Sequence, residues 1–363
     1  MWSQWMFVVV AFVASFLMTS FLFSKLVYFE IFRKRNFSAT ASVVLGAIVS
    51  SAIVLAFSWD EYDFISDISI WSFLAPLIGL AIIFVTCFIN RLYVIETAVL
   101  VASIIGVFFG NLNITFIPEA PLFLNQICTV IAWTFFSVGM RAIAALYPVL
   151  QVQGVTISCG FVLLYVFNAS PFILGVISAA LLASMCVAYM NYNNQTMGVD
   201  VSPIIGYVFG WFGLIFYQEM LFSCFIVLVM SCLLEMTIAA LRKLTFLKKY
   251  KNFSMNTVLM QVYNSGLASI IIVKSLWMIG GILVVFSVFQ ANGVNYYSIP
   301  AFVAIIILWQ FYKLLNWENE AKSWKETKQE TVDEIKETIS SVIKEVKKSK
   351  KKKTSKNTKK VKK

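Results

Sequence analysis

The stretch Ala39-Thr-Ala-Ser-Val-Val-Leu-Gly-Ala-Ile-Val-Ser-Ser-Ala-Ile-Val-Leu-Ala-Phe-Ser58 carries no charged residue. Its length matches the roughly 20 apolar residues that an α-helix needs to cross the hydrocarbon core of a bilayer. Arg33, Lys34 and Arg35 precede it, and Asp60, Glu61, Asp63 and Asp67 follow it. The same pattern repeats along the chain. Apolar spans are expected near residues 5–28, 71–90, 93–110, 122–143, 150–168, 171–190, 201–217, 219–240, 266–289 and 297–316. The fold class is therefore all-α, a polytopic membrane protein with about eleven transmembrane helices. The 201–217 and 219–240 spans are nearly continuous, so a count one lower stays open.

Composition agrees. Of 363 residues, 60% are hydrophobic and 13% are charged. A soluble domain has about 45–50% and about 25%. One globular core cannot bury that apolar excess, but lipid solvates it. The net charge of +11 does not describe the body of the chain. Eleven lysines and no acid lie between Lys347 and Lys363. All six cysteines fall inside apolar stretches and read as small buried hydrophobes. Histidine is absent, which removes the commonest general base and metal ligand.

Loop charge gives a sidedness. Arg33, Lys34 and Arg35 lie in the first loop, Arg91 in the third, Arg141 near the fifth, and Arg242, Lys243, Lys248, Lys249 and Lys251 in the ninth. The even-numbered loops hold no lysine or arginine. The positive-inside rule then places the N-terminus outside and the C-terminus in the cytoplasm. The first helix reads as an uncleaved anchor. Within the spans, Glu96, Arg141, Glu235 and Lys274 are charged. Charge in the membrane is costly and marks functional candidates. Arg141 and Glu235 stand close enough to span ends to snorkel. Lys274 is expected to face a cavity or a carboxylate, with Glu235 or Glu96 as partner.

Three domains follow: a membrane body over 1–317, an amphipathic cytoplasmic helix over 318–346, and a disordered lysine-rich tail over 347–363. Val332, Ile335, Ile339, Val342 and Val346 make the narrow stripe of the second. The tail reads as a solvated segment or as one that adheres to anionic lipid. The amphipathic stripe suits the membrane surface or a protein partner. Nucleic acid is not an expected partner, because no aromatics interleave the lysines.

Asn191-Tyr-Asn-Asn-Gln-Thr-Met-Gly198-Val-Asp-Val-Ser202-Pro-Ile-Ile-Gly206 lies between the seventh and eighth spans. It resembles the N…FMGDxGSLFLG segment of the polyprenyl-phosphate N-acetylhexosamine-1-phosphate transferases. That family includes phospho-N-acetylmuramoyl-pentapeptide transferases and undecaprenyl-phosphate N-acetylglucosamine-1-phosphate transferases. Met197, Gly198, Ser202 and Gly206 keep register, while the family's aspartate falls at Val199 with Asp200 adjacent. Glu235-Met-Thr-Ile-Ala-Ala-Leu-Arg242-Lys243 is similar to the family's aspartate followed by paired arginines. Asn252 to Leu267 is similar to its histidine loop, with Val258 and Met260 where the histidines belong. The resemblance covers most of residues 70–290 and rests on spacing more than identity.

The departures are as informative. The family's paired aspartates at the end of the third span are replaced by Asn90 and Arg91. After Trp133, residues 134–150 hold no aspartate, glutamate or asparagine, and Arg141 is the only charge. The family moves a phosphosugar from a UDP-sugar to a polyprenyl phosphate with Mg²⁺ and carboxylates. Such catalysis needs oxygen ligands fixed around the ion. Here only Asp200 and Glu235 remain as candidate acids, so the resemblance implies a member that has lost its chemistry. No metal or cofactor is expected, with Mg²⁺ required only if an active, diverged transferase is correct. Asn90, Arg91, Arg141, Gly198, Ser202, Arg242 and Lys243 are the candidate residues for a lipid phosphate or substrate. Arginine in place of acid suits direct, bidentate phosphate binding. The implied setting is a bacterial cytoplasmic membrane. An unrelated transporter or channel remains the third class. No internal repeat supports it, although Gly280-Gly281 could break the tenth span.

Overall fold

The computed structural model describes residues 2–26, 28, 37–58, 70–87, 92–146, 148–167, 172–191, 197–245, 257, 259, 260, 263 and 269–292. These form ten α-helices: α1 (Trp2–Leu26), α2 (Phe37–Phe57), α3 (Trp71–Thr86), α4 (Leu92–Phe109), α5 (Leu122–Ala144), α6 (Val149–Val166), α7 (Phe172–Met190), α8 (Pro203–Gln218), α9 (Phe222–Thr245) and α10 (Ser269–Ala291). One 3₁₀ turn, Val199–Val201, precedes α8. Eight of the helices are long and apolar enough to cross a membrane, α8 together with its turn, while α3 and α4 are shorter apolar helices. The chain is thus a multi-pass helical membrane protein. The helices fall on the first ten expected spans. The eleventh span, the amphipathic helix over 318–346 and the lysine tail lie outside the described residues.

Helices suit this solvent because each satisfies its own backbone. Side-chain hydroxyls do the same. Ser50 donates to the Gly46 carbonyl, Ser51 to Ala47 and Ser137 to Trp133, at 2.6–2.7 Å. Such back-bonding lets an apolar helix carry serine without exposing a polar atom to hydrocarbon.

The near-continuous apolar run over 201–240 is two helices. α8 ends with Met220 in the left-handed region at φ 59°. The Leu221 N–H donates to the Phe216 carbonyl at 2.7 Å and the Met220 N–H to Tyr217 at 3.1 Å. This pair of bonds satisfies the last carbonyls of the helix and reverses the chain. The Gly280-Gly281 pair, by contrast, interrupts nothing, and α10 runs through it.

Helix α8 is the centre of one half of the molecule. Its span is 89% buried, the most of any. It packs on α2, α3, α4, α5 and α9. The other half is built on α7, which packs on α1, α2 and α6, with α10 against α6 and α9. A hydroxyl seam joins α1 to α7. Ser15 donates to the Ala180 carbonyl at 2.7 Å, and both Ser15 and Thr19 lie 2.8 Å from the Ser184 hydroxyl. Small residues let the helices meet closely, as is usual in membranes. At Gly206 of α8, an added Cβ would lie 2.7 Å from Ser137 Cα and 2.7 Å from its carbonyl oxygen in α5.

Gly206→Ala should therefore lower stability by about 1–3 kcal/mol, since the obstacle is backbone. Gly281 has no atom within 4 Å of an added Cβ. Gly281→Ala should be neutral or stabilising by up to about 1 kcal/mol through helix propensity. Thermal melts of the two variants in the same detergent check both outcomes.

Candidate functional site

Three elements converge at one end of the α8 half. The pairing of α5 with α8 is antiparallel. Gly210 faces Trp133, and Gly206, nearer the start of α8, faces Ser137 and Met140. The Trp133 indole N–H donates to the Tyr207 carbonyl at 3.0 Å. Continuing the register brings the turn ahead of α8 to the C-terminal end of α5, and this turn packs on both α4 and α5. Helix α4 is held in place by Tyr207, whose hydroxyl donates to the Ala102 carbonyl at 3.1 Å.

Arg141 occupies the last turn of α5. It is 5% exposed. Its Nη1 forms an ion pair and hydrogen bond with Glu96 Oε1. The two side chains differ in exposure, 6% for Arg141 and 44% for Glu96. Arg141 Nε and Nη2 are buried and have no hydrogen-bond partner among the described residues. Unpaired buried donors are costly and call for an explanation. The guanidinium therefore has one satisfied nitrogen and two open ones. The end of a helix is a favourable place for its charge. Snorkelling does not describe it, because the side chain is buried and paired with Glu96.

The turn carries Gly198, Asp200 and Ser202. Gly198 is extended, at φ −63° and ψ 138°. Its carbonyl accepts from Val201 and Ser202 at 3.2 and 3.0 Å. Ser202 is buried, and its hydroxyl donates to the Val199 carbonyl at 2.7 Å. Gly198 and Ser202 thus shape the turn, and Asp200 is half-buried at its centre. Glu235 is 2% exposed on α9. Its Oε1 accepts from the Leu259 N–H at 3.4 Å. The neighbouring Met236 packs over Gly139 of α5, with its Sδ 2.7 Å from where a Cβ would stand. Glu235 is therefore beside the Arg141 end of α5, but Arg141 pairs with Glu96.

Arg242 and Lys243 lie near the end of α9. Asn90 and Arg91 are outside the described residues. The expected partnership of Lys274 with Glu96 is replaced by the Arg141 pair. Lys274 is exposed on α10 rather than set in a cavity with a carboxylate. It shares the outward stripe of Ile271, Met278 and Val285, which are 49%, 53% and 52% exposed. Its position on the helix turns it away from the packed face.

Sequence reasoning passed over an uncharged polar cluster. Gln153 of α6 is buried, and its Oε1 accepts from Ser231 Oγ at 3.0 Å and Cys232 Sγ at 3.4 Å. Gln151 is buried too, with Nε2 unpaired. Two amides inside an apolar span were the available signal.

Two apolar clefts flank α8. One, of about 170 Å³, lies among α2, α3, α7 and α8 and is lined by Val44, Leu80, Leu181, Val208 and Trp211. The other, of about 230 Å³, lies among α5, α8 and α9 and is walled by Trp133, Phe136, Phe222 and Phe225. Among the described residues no three His, Cys, Asp or Glu side chains form a group suited to a metal ion. Comparison with protein-family models finds no match, and comparison with curated proteins finds no relative.

Removing Glu96 strands a buried cation, whereas removing Arg141 leaves a carboxylate that is already half-exposed. Glu96→Ala should cost about 3 kcal/mol and Arg141→Ala less. The double variant should cost less than the sum of the two, as thermal melts arranged in a double-mutant cycle will measure.

Proposed function

We propose that this chain binds a lipid with a phosphate head group, polyprenyl phosphate foremost, and does not transfer a sugar to it. The setting is a bacterial cytoplasmic membrane in which envelope glycopolymers are assembled. One observation carries the reading: among the described residues, buried Arg141 holds a single carboxylate contact and keeps two N–H donors without partners. A guanidinium with open donors is suited to a tetrahedral oxyanion. The turn of Gly198, Asp200 and Ser202 borders the same place, and two apolar clefts beside α8 suit hydrocarbon. The resemblance to phosphosugar transferases supports the class of ligand. The loss of the family's acids and histidines supports the absence of transfer.

The eleven-span count belongs to this reading, with the N-terminus outside and the C-terminus in the cytoplasm. Loop charge supports it and sets the Glu96–Arg141 pair at the cytoplasmic side. The lysine tail then faces anionic lipid or a protein partner.

Purified full-length chain in nanodiscs of neutral lipid should retain undecaprenyl phosphate. Arg141→Ala should lose most of that retention, and UDP-N-acetylglucosamine should yield no UMP. UMP release that disappears in Asp200→Ala and Glu235→Ala would replace this reading with an active, diverged transferase. Equal retention by wild type and Arg141→Ala removes the phosphate site altogether.

A further inference from the structure

The two members of the ion pair are unequally held. Arg141 is buried, with only 6% of its side chain exposed. Glu96 is 44% exposed and stands at the open side of the pair. A glutamate there can swing outward through its own rotamers, and the buried arginine cannot follow it. The contact is also incomplete. It uses Nη1 alone and leaves Nη2 without an acceptor. A tetrahedral oxyanion in the same place can span Nη1 and Nη2, which one carboxylate oxygen does not.

Resting on the lipid-phosphate reading, we propose that Glu96 is a built-in competitor. It occupies Arg141 while the site is empty, and the phosphate displaces it. Binding is then an exchange of one anion for another around a fixed cation, not the filling of a vacant pocket. The buried guanidinium is never without a counter-charge, which a low-dielectric site demands. The carboxylate sets a threshold, so a single negative charge on a weakly held diester does not dislodge it. A terminal phosphate, with up to two charges and three free oxygens, does.

The test compares wild type, Glu96→Gln and Arg141→Gln as full-length chains in nanodiscs of phosphatidylcholine. Dodecyl phosphate is the lipid probe, and inorganic phosphate is the headless one. The glutamine at 96 keeps a hydrogen-bond acceptor for Nη1 but removes the charge. Glu96→Gln should bind dodecyl phosphate about tenfold more tightly than wild type, about 1.4 kcal/mol of relieved competition. Arg141→Gln should lose binding. A headgroup-only site would show the same gain with inorganic phosphate, and that result overturns the lipid as the source of the phosphate. If wild type and Glu96→Gln bind equally while Arg141→Gln fails, the competitor idea is wrong and the phosphate site stands. If all three bind equally, the phosphate site itself is wrong. Should Glu96→Gln fail to fold, Glu96→Asp carries the comparison. It is one methylene shorter and loosens the pair with the charge kept. Binding tighter than wild type supports the exchange, and unchanged binding overturns it.

Discussion

The half of the molecule that carries the charged pair depends on how closely α4 and α8 approach Trp133 of α5. Its ring stacks on Tyr207 at 4.5 Å between centroids and 14° between planes. Gly106 of α4 and Gly210 of α8 leave the room, since a Cβ at either would lie 2.4–2.5 Å from the indole. Tyr207 in turn reaches past Gly79 of α3, where a Cβ would meet its hydroxyl at 2.4 Å. In lipid there is no hydrophobic force between helices, so such close fits and a few internal hydrogen bonds hold the assembly. Trp133 and Tyr207 supply both. They fix α3, α4, α5 and α8 against one another in a single register.

That register is what brings Glu96 and Arg141 together. Neither residue is placed by its own loop. Each is carried to the same level by a helix whose middle is clamped at Trp133 or Tyr207. A charge embedded in this way is constrained in kind as well as position. It needs a partner, and the partner has to arrive from a direction that packing leaves open. The hydroxyls and amides elsewhere in the membrane body follow the milder version of the same rule. Ser137 bonds back to its own helix, while Gln153 gathers Ser231 and Cys232. Among the described residues, these paired polar groups contrast with Arg141, a buried cation with two donors left open.

Most of the helices were legible because lipid removes the alternatives. An uncharged apolar run of sufficient length has few other structures open to it. The break between α8 and α9 was read in the right place but with a single-helix alternative left open, because hydropathy is nearly continuous there. The stop is made by Met220 in a left-handed conformation, a residue with no turn preference of its own. Gly280-Gly281 misled in the opposite sense. Its glycines look like a weakness, but one packs on Thr156 and the helix continues. Arg141, Glu96 and Lys274 were visible as charges, yet their pairing was not. Partner choice depends on which side of a helix faces inward, and uniform apolarity conceals it. Lys274 falls on the outer stripe of α10 for that reason. The one readable hint was that Glu96 and Arg141 occupy corresponding ends of successive antiparallel spans.

The seam between α1 and α7 bears on the order of synthesis. Ser15 and Thr19 lie in α1, and their partners lie 165 residues or more along the chain. Helix α1 is therefore in the bilayer long before Ser184 exists. Until then α2 is there to pack on it, with Thr19 set against Gly46. Docking of α7 on α1 and α2 then closes a circuit between the earliest and the middle part of the chain. The polar contacts of α1 are thus completed only with α7, on an α1–α2 pair that can already pack.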